Sequence, residues 1–246
     1  MRIGVYVDAF NVYYGGRSLC GRRTPGWRWL DLPGLALDLI DPNLWPGANL
    51  ARIVYCTALR DSEGDASSII DQRTYINALL HHWPQAEVAY GHYAAQIKTG
   101  VLADRRARPP RRVPSPGVAN LPSWLPAEEV RGPEGGMELL VAVSSFAEKG
   151  SDVNVATHLL MDVLSGRVDA AMVFSNDSDL KLPIATARLH VPVATINPRA
   201  TRTAQELRGD SSAGAGRHWW RRLTKVDFLA HQLPDPVGQF TKPADW

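Results

Sequence analysis

Five short runs of apolar, largely β-branched residues punctuate the chain, at residues 3–7, 52–56, 87–90, 170–174 and 191–196. Most are continuously apolar rather than alternating, the pattern of strands covered on both faces. Between them the apolar positions take the spacing of amphipathic helices. In "SSIIDQRTYINALLHHW" the residues Ile69, Ile70, Tyr75, Ile76, Leu79 and Leu80 fall mostly three or four apart, and Pro84 stands where such a helix should stop. Further helices are expected over 153–164, 180–188 and 224–232. The alternation of strand and helix predicts an α/β fold with a parallel sheet covered on both faces. In such sheets ligands collect beyond the carboxyl ends of the strands, where the strand order reverses.

One segment breaks the alternation. Residues 100–136 are rich in Pro and Gly and carry Arg105, Arg106, Arg108, Arg111 and Arg112 at their start. Because the α/β pattern resumes afterwards, this is an insertion in a single domain spanning 1–246, not a linker between two domains. Two readings stand for it: a solvated excursion, or an arginine-rich flap that contacts phosphates.

Composition narrows the picture little. At 246 residues and 45% apolar content the chain can bury one sizeable core, and a net charge of +2 permits a nucleic-acid partner without pointing to one. Two cysteines, Cys20 and Cys56, form neither a zinc-binding pair nor a disulfide framework. No apolar run approaches the ~18–20 residues of a membrane span, and the amino terminus lacks the pattern of a signal peptide. A soluble, cytoplasmic protein without a membrane partner is the expectation.

The acids change the picture more. Asp8 directly follows the apolar run 3–7, where an unpaired buried charge would cost several kcal/mol. It is either capping something or holding something. Asp177 and Asp179 follow the run 170–174 at the mouth of a helix, and Asp152 opens another helix after Gly150. Parallel strands would bring these four acids to one edge of the sheet. Singly, each suits a helix start. Gathered together they repel one another and call for a cation, and an all-oxygen donor set favours Mg²⁺ or Mn²⁺. Asp162 lies ten residues beyond Asp152, about 15 Å along a straight helix and turned by roughly 80°, so it is expected to be structural. His81, His82, His92 and His158 lack ligand spacing.

Three motifs carry a resemblance. "VYVDAFNVYYG", with Asp8 and Asn11, resembles the opening D-x-x-N strand of the NYN domains of the PIN-like nuclease superfamily. "EKGSDVNVATHLLMDVL", with Lys149, Gly150, Asp152 and Asp162, is similar to that family's KG-x-D-V segment. "VFSNDSDL", with Asp177, Ser178 and Asp179, resembles its S-G-D-S-D turn, with Asn176 where glycine is usual. The resemblance spans roughly residues 1–200. It implies a three-layer α/β/α sandwich with a mainly parallel, PIN-like and Rossmann-like sheet, and a Mg²⁺- or Mn²⁺-dependent ribonuclease. In that reading Asp8, Asp152, Asp177 and Asp179 hold the metal and Asn11 orients a metal water or a phosphate. Lys149 either neutralises the phosphate or is a solvated cation, and Ser178 lies at the substrate. The alternative is an RNA-binding module with an inactive metal site. A nucleotide-binding protein is disfavoured, because "YYGGRS" has neither the spacing nor the lysine of a phosphate loop.

The segment 204–246 contains "GRHWWRRLTK". Arg217, Arg221 and Arg222 around Trp219 and Trp220 combine phosphate-neutralising cations with flat faces for unstacked bases. Against RNA binding stands a packing role, in which the tryptophans pin the last helix to the core.

Overall fold

The computed structural model describes residues 1–59, 66–104, 106–117 and 120–246; Arg105 of the arginine cluster lies outside the described residues. These form two compact units, Met1–His92 with Glu148–Trp246, and Tyr93–Ala147. The chain opens with β1 (Arg2–Asp8), α1 (Ala9–Cys20), α2 (Leu32–Asp38), β2 (Asn49–Thr57), α3 (Ala66–His82) and β3 (Ala86–Tyr90). It continues through β4 (His92–Val101), β5 (Ala103–Asp104), β6 (Arg111–Arg112), β7 (Ala127–Arg131) and β8 (Met137–Lys149). It ends with α4 (Ser151–Leu164), β9 (Ala170–Phe174), α5 (Lys181–Arg188), β10 (Val193–Asn197), α6 (Gln205–Arg208), β11 (Trp219–Arg222) and α7 (Lys225–Ala230).

In the larger unit six strands form one sheet in the order β3-β2-β1-β9-β10-β11, and every neighbouring pair is parallel. This is the strand order of a doubly wound sheet. Successive side chains of a strand face opposite ways, and the sequence uses both faces. Ile3, Val5 and Val7 pack into a cluster with Trp27, Trp29, Tyr75 and Phe228 from the α1, α2, α3 and α7 side. Tyr6, Val54 and Val173 pack into a second cluster with Val155 and Leu159 of α4 and Ile184 of α5. Helices on both faces of a parallel sheet are what the continuous apolar runs predict.

Four elements of this unit exceed the expectation: α1, α2, the short α6 and β11. Helix α1 starts directly after β1 and contains Gly15 and Gly16, residues that ordinarily weaken a helix interior by about 1 kcal/mol each. Close packing explains them. A Cβ at residue 15 would stand 2.1 Å from the Pro198 carbonyl oxygen, and one at residue 16 would stand 2.7 Å from the Trp27 ring. Helix α2 is capped by Asp31, whose carboxylate accepts the Gly34 N–H at 3.1 Å. The "HWWRR" stretch supplies β11, paired to β10 with Trp219 opposite Ala194 and Arg222 opposite Asn197.

The smaller unit carries a three-stranded sheet in the order β4-β8-β7, with β7 and β8 antiparallel, and an antiparallel β5-β6 pair. The inserted segment is thus built of strands, and the unit they form, Tyr93–Ala147, is wider than the expected residues 100–136. Arg112 pairs with Glu138 at 3.0 Å. Among the described residues no helix is long and apolar enough to cross a membrane. Cys20 and Cys56 are buried and free.

Asp162 has a structural place. It lies on the buried face of α4, accepts the Tyr6 hydroxyl at 3.0 Å, and pairs with Arg52 Nε at 2.6 Å and Arg167 Nη1 at 3.4 Å. Removing this carboxylate takes the acceptor from the buried Tyr6 hydroxyl and one of two carboxylates from Arg52, which keeps Glu87. Asp162→Ala is therefore expected to lose about 2–3 kcal/mol of stability. Tyr6→Phe, which deletes one hydrogen bond, should lose only ~1 kcal/mol. Urea unfolding of the two variants checks the ranking, and equal losses would contradict it.

Candidate functional site

The strand order reverses between β1 and β9, so the carboxyl ends of those two strands flank the crevice in which doubly wound sheets hold ligands. Asp8 ends β1 there. Its Oδ1 accepts the Asn11 N–H at 2.9 Å, and its Oδ2 accepts the Asn11 side-chain amide at 2.7 Å and the Ser175 hydroxyl at 2.8 Å. Asp8 is thus both a cap and a clasp. Burial pushes its pKa up, the bonds from Asn11 and Ser175 pull it down, and the charge of Asp177 pushes it up again.

The turn after β9 is built on the same contacts. The Ser175 hydroxyl accepts the Asp177 N–H at 3.1 Å, and Asp177 accepts the Asp179 N–H at 3.0 Å, capping a single 3₁₀ turn over Ser178–Leu180. Asn176, standing where the resemblance has glycine, accepts the Ala204 N–H at 2.9 Å and donates to the Arg202 carbonyl at 3.3 Å. A glycine makes neither bond, so the asparagine ties this turn to the segment after β10.

Asp152 lies half-buried in the first turn of α4. Its pKa is pushed up to about 6, first by burial and then by the charges of Asp8, Asp177, Glu148 and Asp179. The four acids read from the sequence therefore share one electrostatic neighbourhood, and Glu148 joins them. Glu148 was not singled out in the sequence, although it stands inside the "EKGSD" motif. Gly150, at φ 98°, turns the chain so that the Glu148 carboxylate accepts the Ser151 N–H at 2.9 Å.

The oxygen-only donor set suits a hard divalent cation. Among the described residues, no three His, Cys, Asp or Glu side chains are already placed to hold a metal ion. Repulsion is present, and a formed coordination shell is not.

Around the acids, Asn11 is buried, and its Oδ1 accepts from Arg199 Nε at 2.8 Å and from the Asn176 N–H at 3.3 Å. Arg199 also escaped the sequence reading. Lys149 and Ser178 are exposed at the starts of α4 and the 3₁₀ turn. The tail residues divide. Trp219 packs on Trp45 with ring centroids 5.5 Å apart, and Arg217, at φ 57°, accepts the Trp45 indole N–H on its carbonyl. Arg221 pairs with Asp227 at 2.7 Å. Arg222 stands at the carboxyl end of β11 and donates to the Ala200 carbonyl at 3.3 Å. Of these, Arg222 lies at the sheet edge that carries the acids, and Trp219 lies at the far end of its strand.

No protein-family model matches the chain. A curated relative, 6-hydroxy-3-succinoylpyridine 3-monooxygenase HspA from Pseudomonas putida, is 25% identical over an alignment spanning 100% of this chain and 75% of the relative. A crystal structure of a protein of unknown function from Vibrio parahaemolyticus superposes with a TM-score of 0.42 at 15% identity, covering 84% of this chain and 86% of the other. The expectation of a Mg²⁺- or Mn²⁺-dependent ribonuclease is corrected here, because the relative that spans the whole chain is named for an oxidoreductase and not for a hydrolase. The physical reason is general. A sheet edge bearing acids fixes where charge is held, and does not fix which bond is broken.

The charge on Asp152 sets a pH dependence. Its folded pKa of about 6 exceeds the usual Asp value of ~3.9, so the folded state holds the proton more tightly. Stability should fall as pH rises through the window from ~4 to ~6. Because the group is half-exposed, solvent screening reduces the effect to about 1 kcal/mol, or roughly 2–4 °C in melting temperature. Asp152→Asn should melt higher than the parent by that amount at pH 7.5 and match it at pH 4. A variant that melts lower at pH 7.5 would contradict the repulsion.

Proposed function

We infer that this chain is a PIN-like domain of the NYN type, acting as an RNA-binding module. Its strand-end acids take up Mg²⁺ or Mn²⁺, and the ion lets an RNA phosphate approach an otherwise repulsive edge. The observation that carries this reading is the convergence of Asp8, Asp152, Asp177 and Asp179 on one edge, where Asp152 is pushed up first by burial and then by the charges of four neighbouring carboxylates. Such a cluster gains most from a bound cation, and a ligand held only by the folded state stabilises it by mass action. Asp8, Asp152, Asp177 and Asp179 are the metal-binding residues in this reading, with Glu148 beside them. Arg222 and Lys149 supply positive charge at the rim, and salt-dependent binding is the signature of such contacts.

A second reading rests on the monooxygenase relative, whose match spans the whole chain. It makes this protein an oxidoreductase acting on a hydroxylated pyridine. Monooxygenation needs dioxygen and a two-electron reductant, and because reduced flavin consumes oxygen unaided, the test is oxygenated product formed from 6-hydroxy-3-succinoylpyridine and a reduced flavin with the protein and not without it.

For the first reading, Mn²⁺ at about a hundredfold above its Kd should raise the melting temperature by ~5–10 °C, and EDTA should reverse the gain. Asp177→Asn should lose most of the shift while remaining folded. Labelled single-stranded RNA should bind more tightly with Mn²⁺ than with EDTA in anisotropy titrations. An unchanged melting curve at millimolar Mn²⁺ would falsify the cation site.

A further inference from the structure

Arg199 is a basic side chain tied to the buried Asn11 beside Asp8. Its main-chain N–H donates to Asn197 Oδ1 at 2.8 Å, and its Nε donates to Asn11 Oδ1 at 2.8 Å. Asn11 in turn donates its side-chain amide to Asp8 at 2.7 Å and receives the Asn176 N–H on the oxygen that holds Arg199. The amide is thus fixed from both sides, with oxygen toward Arg199 and nitrogen toward Asp8. The chain preceding Arg199 is fixed as well, because the Pro198 carbonyl fills the space that a Cβ on Gly15 would need. Behind it, Arg222 holds the Ala200 carbonyl.

An arginine that reaches a carboxylate ordinarily closes on it as a bidentate pair. Among the described residues Arg199 makes no such pair, and Asn11 takes only its Nε. Among the described residues the two terminal nitrogens of this half-exposed residue, four N–H donors, take part in no hydrogen bond or ion pair. The neutral Asn11 amide stands between the guanidinium and Asp8 and bonds both.

We propose that Arg199 is the oxyanion-recognition residue of this site, taking two oxygens of a phosphodiester or of a carboxylate on its terminal nitrogens, with Asn11 as the positioning residue that holds it ready. The proposal rests on the strand-end acids being the ligand site. It adds to that site a positive group held in place by Asn11, for the anionic part of the ligand. Lysine, a point charge without the planar fork, is not equivalent here.

The test uses the full chain and two probes, fluorescein-labelled single-stranded RNA and succinate, each titrated at saturating Mn²⁺ into the parent, Arg199→Ala and Arg199→Lys. Mn²⁺ uptake is followed separately by melting temperature. Arg199→Ala should bind the recognised probe ten- to a hundredfold more weakly, the range for a lost charged hydrogen-bond pair, with Arg199→Lys in between and the Mn²⁺ response unchanged. Whether RNA or succinate shows the loss identifies the source of the oxyanion. Equal affinity of the parent and Arg199→Ala overturns the proposal while leaving the cation site standing. A parent that binds neither probe also overturns it. A parent without any Mn²⁺ response overturns the cation reading, and a loss on Arg199→Ala in that case still supports the oxyanion role.

Discussion

The carboxylate of Asp8 is the contact on which the arrangement of the site depends. One oxygen starts α1 by accepting a backbone N–H, and the other binds Ser175 at the end of the neighbouring strand. The two strand ends that flank the reversal of strand order are thereby held by one buried charged group. Ser175 passes the constraint to Asp177, and Asp177 passes it to the 3₁₀ turn. Neutralising or removing that carboxylate would release a helix start, a strand end and a turn together. Burial opposes its charge, and only the three donated hydrogen bonds keep the arrangement affordable.

Much of this was legible in the sequence, for identifiable reasons. The runs at 3–7 and 170–174 read as buried strands because every residue is apolar, which happens only when both faces are covered. The helix from Ser151 to Leu164 was legible from the stripe formed by Val155, Leu159 and Val163. Helix α1 was not, because its aromatic residues and paired glycines have low helical preference, and it stands through contacts with Pro198 and Trp27 that no local window contains. The strands of the smaller unit carry polar and apolar residues without a clean period. Its β8, for example, exposes Val143 and Phe146.

The acids were legible because they sit at strand and helix ends, where an apolar run stops abruptly. Glu148 and Arg199 were not. The first is turned inward by a left-handed glycine two residues later, and the second meets Asn11 across 188 positions of chain. The basic aromatic tail was legible by composition alone. That composition suggests a surface for bases, and in the fold Trp219 packs on Trp45 and Arg221 pairs with Asp227, while Trp220 stays exposed. The alternation of a strand divides such a cluster between two faces, and composition alone is blind to that division.

The place where the smaller unit interrupts the larger one bears on how the chain was assembled. Gly91 and the Lys149 carbonyl lie so close that a Cβ on residue 91 would stand 2.4 Å from that oxygen, so the larger unit brings the two ends of the interruption together by itself. Loop-closure entropy grows only logarithmically with length, about 0.6 kcal/mol for each doubling. A long excursion at this junction is therefore thermodynamically almost as acceptable as a short one. The junction is a port in the fold, where segments can be exchanged during evolution while β1 and β9 still meet at the centre of the sheet.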